Sequence, residues 1–190
     1  MPFNKMNKWL NEEKELGVAV NSAVLATVSP QGIPHSRVVA IREIKEDSLI
    51  FFTQRKTRKV TDLLNNPAAS MNFFLALQQR QIVMDGITEL LTQEENSLYW
   101  NGLPRERQLR FSTYAPISGQ PIQSLNELDK RKRELEELFR NKDIPMSDFY
   151  CGFRFIPKMF LFYSVGSITF SEVTKFTREK DFWSEQLYSP

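Results

Sequence analysis

The 190-residue chain holds one cysteine, Cys151, and one histidine, His35. The first leaves no internal disulfide and no multi-cysteine zinc or iron–sulfur site. The second argues against a histidine-rich metal centre, so no metal is expected. An excess of one charge is also missing. The 25 basic and 23 acidic residues leave a net charge of +2, which is no basic coat for a nucleic acid. The longest apolar stretches, at residues 71–77 and 160–163, fall far short of the ~20 residues of a membrane span. Residues 1–14 are polar and charged, without the apolar centre of a signal peptide, which leads us to expect a soluble cytoplasmic protein with no membrane partner. No G-x-G-x-x-G, P-loop or internal repeat occurs. With so few nucleophiles and metal ligands, a bound organic cofactor is the natural carrier of any chemistry.

What is present is material for a core. Hydrophobic residues make up 41% of the chain, and there are 15 phenylalanines. A chain of this length buries roughly 70% of its unfolded surface. We expect a single domain over residues 1–190, with a leading segment at 1–20 and a final strand within 179–190.

The order of elements points to an α+β fold. Residues 7–16 form a charged leading helix. Residues 22–29 and 33–41 form a hairpin around Pro30-Gln-Gly32, and residues 48–53 a third strand. Thr57 is set to cap a helix over residues 58–65, ended by Pro67. Residues 68–77 and 81–91 are strands, with Gly86 marking a bulge. Thr92-Gln-Glu-Glu95 is a capping box that opens a helix through Trp100. Pro104 starts another helix, to about Tyr114. After a loop at 115–122, Ser124-Leu-Asn-Glu127 is a second capping box, opening a charged helix to about Asn141. Strands at 149–163, 167–177 and 183–190 finish the chain. Helices grouped between strands suggest a β-barrel with peripheral helices.

Basic residues gather early: Arg37, Arg42, Arg55, Lys56, Arg58 and Lys59. Arg58 and Lys59 occupy the first turn of a helix, where basic charge opposes the helix dipole and an anion offsets the cost. The alternative is a solvated basic turn. Arg37 and Arg42 stand five apart on a strand, hence on opposite faces unless a bulge intervenes. His35 reads as a satisfied or exposed strand residue rather than a catalyst. Cys151 reads as a small buried residue. The charges at 130–137 read as a solvated helix face.

The segments Arg37-Val-Val-Ala-Ile-Arg42, Phe51-Phe-Thr53, Thr57-Arg-Lys59, Asn66-Pro67 and Arg80-Gln-Ile82, in this order and spacing, resemble the pyridoxamine 5′-phosphate oxidase family. Phe149-Tyr-Cys-Gly-Phe-Arg154, Phe160-Leu-Phe-Tyr163 and the set Trp183, Leu187 and Pro190 are similar to its later segments. The resemblance covers residues 22–190. It implies a split β-barrel that binds FMN at a homodimer interface and oxidises a small molecule. By that resemblance Arg37, Arg58 and Lys59 clamp the FMN phosphate. Val38, Val39, Ala40, Ile41, Arg42, Phe52 and Thr53 run along the flavin. Gln81 donates toward its ring, and Tyr163 stands where the family has a tryptophan.

The substrate positions of the family are changed. Its Arg-x-His falls on Thr169-Phe-Ser171, and neither Thr169 nor Ser171 supplies a cation or a ring nitrogen. A further arginine at the flavin falls on Val173. The substrate-phosphate grip keeps Tyr99, but its arginine becomes Leu103 and its serine Arg107. Arg42 replaces a lysine and keeps the charge with a different geometry. The substrate residues are therefore expected to be Arg42, Tyr99 and Arg107, with Arg107 on the face of Leu103 if Pro104 leaves the helix intact. A family contact from the 117–120 loop falls near Ser118. The expected function is an FMN-dependent oxidase with a substrate other than the B6 vitamers. The alternative is a non-catalytic flavin-binding or flavin-sensing protein. No catalytic residue is assigned.

Overall fold

The computed structural model describes residues 1–165 and 170–190. These residues form eight strands and five α-helices, the last three helices grouped between β5 and β6. The strands are β1 (Ser22–Val28), β2 (Pro34–Ile44), β3 (Leu49–Gln54), β4 (Ala68–Leu75), β5 (Arg80–Leu90), β6 (Tyr150–Ser164), β7 (Glu172–Arg178) and β8 (Trp183–Tyr188). The helices are α1 (Pro2–Glu15), α2 (Arg58–Asn65), α3 (Gln93–Asn101), α4 (Arg105–Tyr114) and α5 (Leu125–Leu138). The sheet order is β3-β2-β1-β4-β5-β6-β7-β8, and β3 also pairs with β6. That last pairing closes six antiparallel strands into a barrel and leaves β7 and β8 as an added hairpin. Closure removes the exposed sheet edges that would otherwise template association.

The chain divides into two compact units. The first comprises Met1–Phe51, Asp62–Glu89 and Phe153–Pro190. Its core is one face of the strands: Leu25, Met71, Phe73, Leu75, Ile82, Met84, Phe153, Phe155, Phe160 and Phe162 are all buried. Period-two burial along β1, β4 and β5 follows from the pleat. The β1–β2 turn closes as expected. Ser29 Oγ accepts from the N–H groups of Gln31 and Ile33, and Gly32 takes a φ of +79° that a glycine adopts without steric cost. Helix α1 starts five residues earlier than its polar pattern indicated. It is anchored by Phe3, Met6 and Trp9, with Trp9 edge-on to Phe162 at 5.1 Å. The Glu13 carboxylate on α1 accepts from the N–H groups of Leu77 and Gln78 and from the Gln78 side chain at 2.8–3.1 Å. Burial pushes its pKa up, and these hydrogen bonds with Arg80 outweigh that and hold it below the ordinary range.

Gly86 corrects a sequence expectation. The β4–β5 register runs unbroken through Ala69↔Gly86, so there is no bulge in that pairing. A Cβ at Gly86 would lie 2.2 Å from the Ile156 carbonyl oxygen. Close approach of a neighbouring strand requires the glycine there.

The second unit comprises Phe52–Thr61 and Leu90–Gly152. Its core is Trp100, Leu109, Phe111, Ala115, Ile144 and Tyr150. Trp100 donates its indole N–H to the Ile144 carbonyl at 3.0 Å. The Thr92–Glu95 capping box forms with both reciprocal bonds. The box expected at Ser124 does not form. The Ser124 side chain caps nothing, and Glu127 instead accepts from the Gln123 N–H at 3.0 Å. Helix α5 ends at Leu138, buries none of its residues and carries ion pairs such as Lys132–Glu136.

Candidate functional site

In the first unit, β1 and β2 pair with Thr27 opposite His35 and Leu25 opposite Arg37. His35, Arg37, Val39 and Ile41 therefore share one face, while Val38 and Ala40 point to the other. Burial agrees: Val39 is buried and Val38 is 68% exposed. Six consecutive strand residues cannot all turn their side chains to one ligand, so part of any contact from this strand is made by backbone.

Arg37 is held where it stands. Its Nη1 donates to the Leu25 carbonyl at 3.2 Å and to Thr27 Oγ1 at 2.7 Å. The Thr27 hydroxyl in turn donates to Asp62 Oδ2 at 2.7 Å. His35 Nδ1 lies 2.9 Å from the same oxygen, and Arg37 Nη2 lies 3.8 Å from it. Asp62 is 1% exposed. Burial alone would raise its pKa. Hydrogen bonds from His35 and Thr27, with the charges of His35 and Arg37, hold it below the ordinary carboxylate range. His35 is thus a satisfied residue, as expected.

Arg42 does not follow the simple alternation. The β2–β3 register shifts between Ile41 and Glu43, which places Arg42 in a bulge. The sequence rule that sets Arg37 and Arg42 on opposite faces therefore fails at its last step, because an extra residue resets the pleat. Arg42 is exposed. On β5, Gln81 pairs with Phe74 and alternates with the buried Ile82 and Met84, so it belongs to the outer face of the sheet. The row Val38, Val24, Asn72 and Val83 crosses that same face by register. Tyr163 pairs with Val173 and donates its hydroxyl to Ser171 Oγ at 3.0 Å. Val173 is buried and offers no polar group. Thr169 lies outside the described residues, as does the start of the strand expected from residue 167.

In the second unit, the end of β3 and the start of α2 form a polar turn. Lys59 Nζ donates to Thr53 Oγ1 at 3.0 Å and to Thr57 Oγ1 at 3.3 Å. The Thr57 hydroxyl donates to the Gln54 carbonyl at 2.8 Å. Thr57 caps α2 through its backbone, its carbonyl accepting from the N–H groups of Val60 and Thr61. Arg58 is exposed in the first turn of the helix. Ser118 reaches this turn: its hydroxyl lies 3.3 Å from Gln54 Oε1.

Phe52 belongs to the core of this unit. Its ring stacks on Tyr150 at 4.7 Å and lies 5.0 Å from Tyr99. A Cβ at Gly152 would come within 2.5 Å of it. Cys151 is buried with Sγ 3.7 Å from the Thr53 carbonyl, and burial pushes its thiol up to about 11, which keeps it protonated.

Of the expected substrate residues, Tyr99 and Arg107 belong to this unit and Arg42 to the first. Helix α3 ends at Asn101 and α4 begins at Arg105, so Pro104 does break the helix. Leu103 packs into the core, and Arg107 shares no helix face with it. Arg107 lines an open cavity of about 340 Å³ with Arg110, Tyr114 and Lys132. Sequence reasoning missed Thr27 and Asp62. The available signal was one acid among the apolar residues Val60, Leu63 and Leu64 of a short helix.

Comparison with known proteins agrees with this architecture. The sequence pattern of the pyridoxamine 5′-phosphate oxidase family matches residues 11–111, more than half of the chain. The pyridoxine/pyridoxamine 5′-phosphate oxidase of Alteromonas mediterranea is 30% identical over 191 residues, covering 100% of this chain and 89% of the relative. That of Psychromonas ingrahamii is 31% identical, covering 85% and 74%. Among solved structures, PhzG from Burkholderia lata 383, in complex with tetrahydrophenazine-1-carboxylic acid, superposes with a TM-score of 0.87. It is 23% identical, over 100% of this chain and 92% of that one. A pyridoxamine 5′-phosphate oxidase-related, FMN binding protein from Nostoc punctiforme superposes with a TM-score of 0.79. It is 19% identical, over 100% and 98%. These structural likenesses establish the split-barrel fold, and with the sequence matches they show that the chain belongs to the pyridoxamine 5′-phosphate oxidase family.

Proposed function

We propose that the protein is an FMN-dependent oxidoreductase whose substrate differs from pyridoxine and pyridoxamine 5′-phosphate. The observation that carries the cofactor is the polar turn at the start of α2. Lys59 is gathered onto the hydroxyls of Thr53 and Thr57, with Arg58 beside it in sequence. An ammonium, a guanidinium and hydroxyls at a helix start fit a phosphate monoester. Family membership supplies the identity of the monoester as FMN. When bound, FMN supplies a hydride acceptor. By the family resemblance, Arg37, Arg58 and Lys59 are the residues that hold the phosphate, the β2 backbone and Gln81 those that orient the ring, and Tyr163 the one that lines its surroundings.

The divergent substrate rests on residues that no longer provide charge. Leu103 is part of an apolar core and Val173 is buried. Losing one charged hydrogen bond to a phosphate costs about 1.5–3 kcal/mol. The same changes support a second reading, a flavin-binding protein without turnover. A cytoplasmic homodimer belongs to the first reading. The outer sheet face exposes Val24, Val38 and Phe74, and Asn72 Oδ1 is buried there with no partner among the described residues. A second copy on this face would cover the apolar residues and bring a donor to Asn72.

The test is the visible spectrum of the purified protein after addition of FMN and removal of excess, followed by anaerobic mixing with small amines and alcohols. Retained flavin that a donor bleaches is the expected result. Retained flavin inert to every donor selects the second reading, and no retained flavin overturns both. Efficient oxidation of pyridoxine 5′-phosphate overturns the divergent substrate.

A further inference from the structure

We infer that Asp62 is a positioning residue for the phosphate-binding arginine, acting through the hydroxyl of Thr27. The inference rests on the FMN reading above and concerns how Arg37 is prepared for the anion. A threonine hydroxyl has one proton to give and lone pairs to accept with. Asp62 Oδ2, 2.7 Å away, takes that proton. The Thr27 oxygen is thereby committed as an acceptor, and Arg37 Nη1 fills it at 2.7 Å. The Leu25 carbonyl accepts from the same nitrogen at 3.2 Å, which fixes the plane of the guanidinium. Arg37 Nη2 is 3.8 Å from the carboxylate, too far for a hydrogen bond. Asp62 therefore works on Arg37 chiefly by orienting Thr27, and only secondarily as a counter-charge.

His35 completes the arrangement. Its Nδ1, 2.9 Å from Asp62 Oδ2, donates to the same carboxylate oxygen that takes Thr27's proton and helps to hold it in place. The two donors reach Asp62 from adjacent strands, because Thr27 and His35 are direct register partners, and Arg37 is two residues beyond His35 on the same face. A guanidinium held in one plane loses less freedom on meeting a phosphate than one that swings in solvent. Asp62 also carries a negative charge, which alone would disfavour a second anion nearby. The geometry assigns it the orienting role, and the two effects have opposite signs, so experiment separates them.

The experiment compares affinities for FMN and for riboflavin, which lacks the phosphate. In the wild-type protein FMN should bind more tightly than riboflavin. Asp62→Asn and Thr27→Val should each weaken FMN about tenfold, the scale of one charged hydrogen bond, and leave riboflavin within about twofold. Thr27→Ser, which keeps the hydroxyl, should restore FMN binding. In an Arg37→Ala background Asp62→Asn should have no further effect. Thr27→Val is nearly isosteric and carries the test if Asp62→Asn does not fold. Equal losses of FMN and riboflavin, unchanged FMN affinity in Thr27→Val, or tighter FMN binding in Asp62→Asn would each overturn the inference alone. A wild-type protein that binds no FMN would overturn the cofactor reading and this inference with it.

Discussion

Arg37 and Arg107 are both arginines that the sequence nominates for an anion, and their surroundings differ. Arg37 is half-buried on a barrel strand, with Nη1 shared between a carbonyl and a hydroxyl and a buried carboxylate behind it. Arg107 is exposed on α4, at the rim of an open cavity, among Arg110 and Lys132. The first is pre-set by neighbours from three elements. The second stands exposed on a helix face, beside a cavity that acids such as Glu106 and Asp129 also line. The comparison teaches that a basic residue's place in the sequence names a charge, while its packing decides whether that charge is already aimed.

The sharpest way to break the comparison is to remove the support of the first arginine. Asp62→Ala leaves Thr27, His35 and Arg37 around an empty acceptor. We expect a loss of about 3–5 kcal/mol in chemical denaturation, the scale for stripping one partner from a buried charged cluster. Arg107→Ala should leave the thermal midpoint within about 2 °C. A small effect at Asp62 would show that the cluster contributes little and that the contrast is only geometric.

Next in size is the polar turn. Replacing Arg58 and Lys59 together by alanine removes two charged donors and should weaken FMN about 100-fold, measured by fluorescence titration. The protein should stay folded, because Arg58 is exposed and the apolar residues of α2, Val60 and Leu63, remain buried. Unchanged affinity would take the clamp out of the proposed site.

A third test uses acid. The folded pKa of Asp62 lies below its unfolded value of about 3.9, so its carboxylate stabilises the fold above that value. The contribution is lost as pH falls from about 3.9 through the lower folded value. Asp62→Asn should therefore flatten the acid limb of the stability curve relative to wild type. An unchanged acid limb would mean that other carboxylates, Glu13 foremost, govern it. The smallest effect is expected at the second arginine itself: Arg107→Ala should change FMN affinity by less than about twofold. A larger loss would move Arg107 into the cofactor site.

Local signals in the sequence translated well into structure. The Ser29–Gly32 turn, the Thr92–Glu95 box and helix α2 depend on residues within four positions of one another, and each forms as expected. The Ser124 box had the same local pattern and failed. An exposed helix end can satisfy its N–H groups in more than one way, and Glu127 chose the neighbouring residue. The bulge at Arg42 was invisible because it is a property of the pairing with β3, not of β2 alone. Phe52 read as a ligand-lining residue, and its ring was claimed by Tyr150, nearly a hundred positions away.

The family, the order of strands and helices, and the basic pair Arg58 and Lys59 at a helix start were legible along the chain, since ordered motifs and periodicity are local. Only the tertiary structure decided which of the chain's charges are aimed. Asp62 lies 35 positions from Thr27 and 27 from His35. No periodicity connects residues so far apart. They meet because the β1–β2 register brings Thr27 and His35 side by side, and because a carboxylate can be buried only where enough donors converge on it.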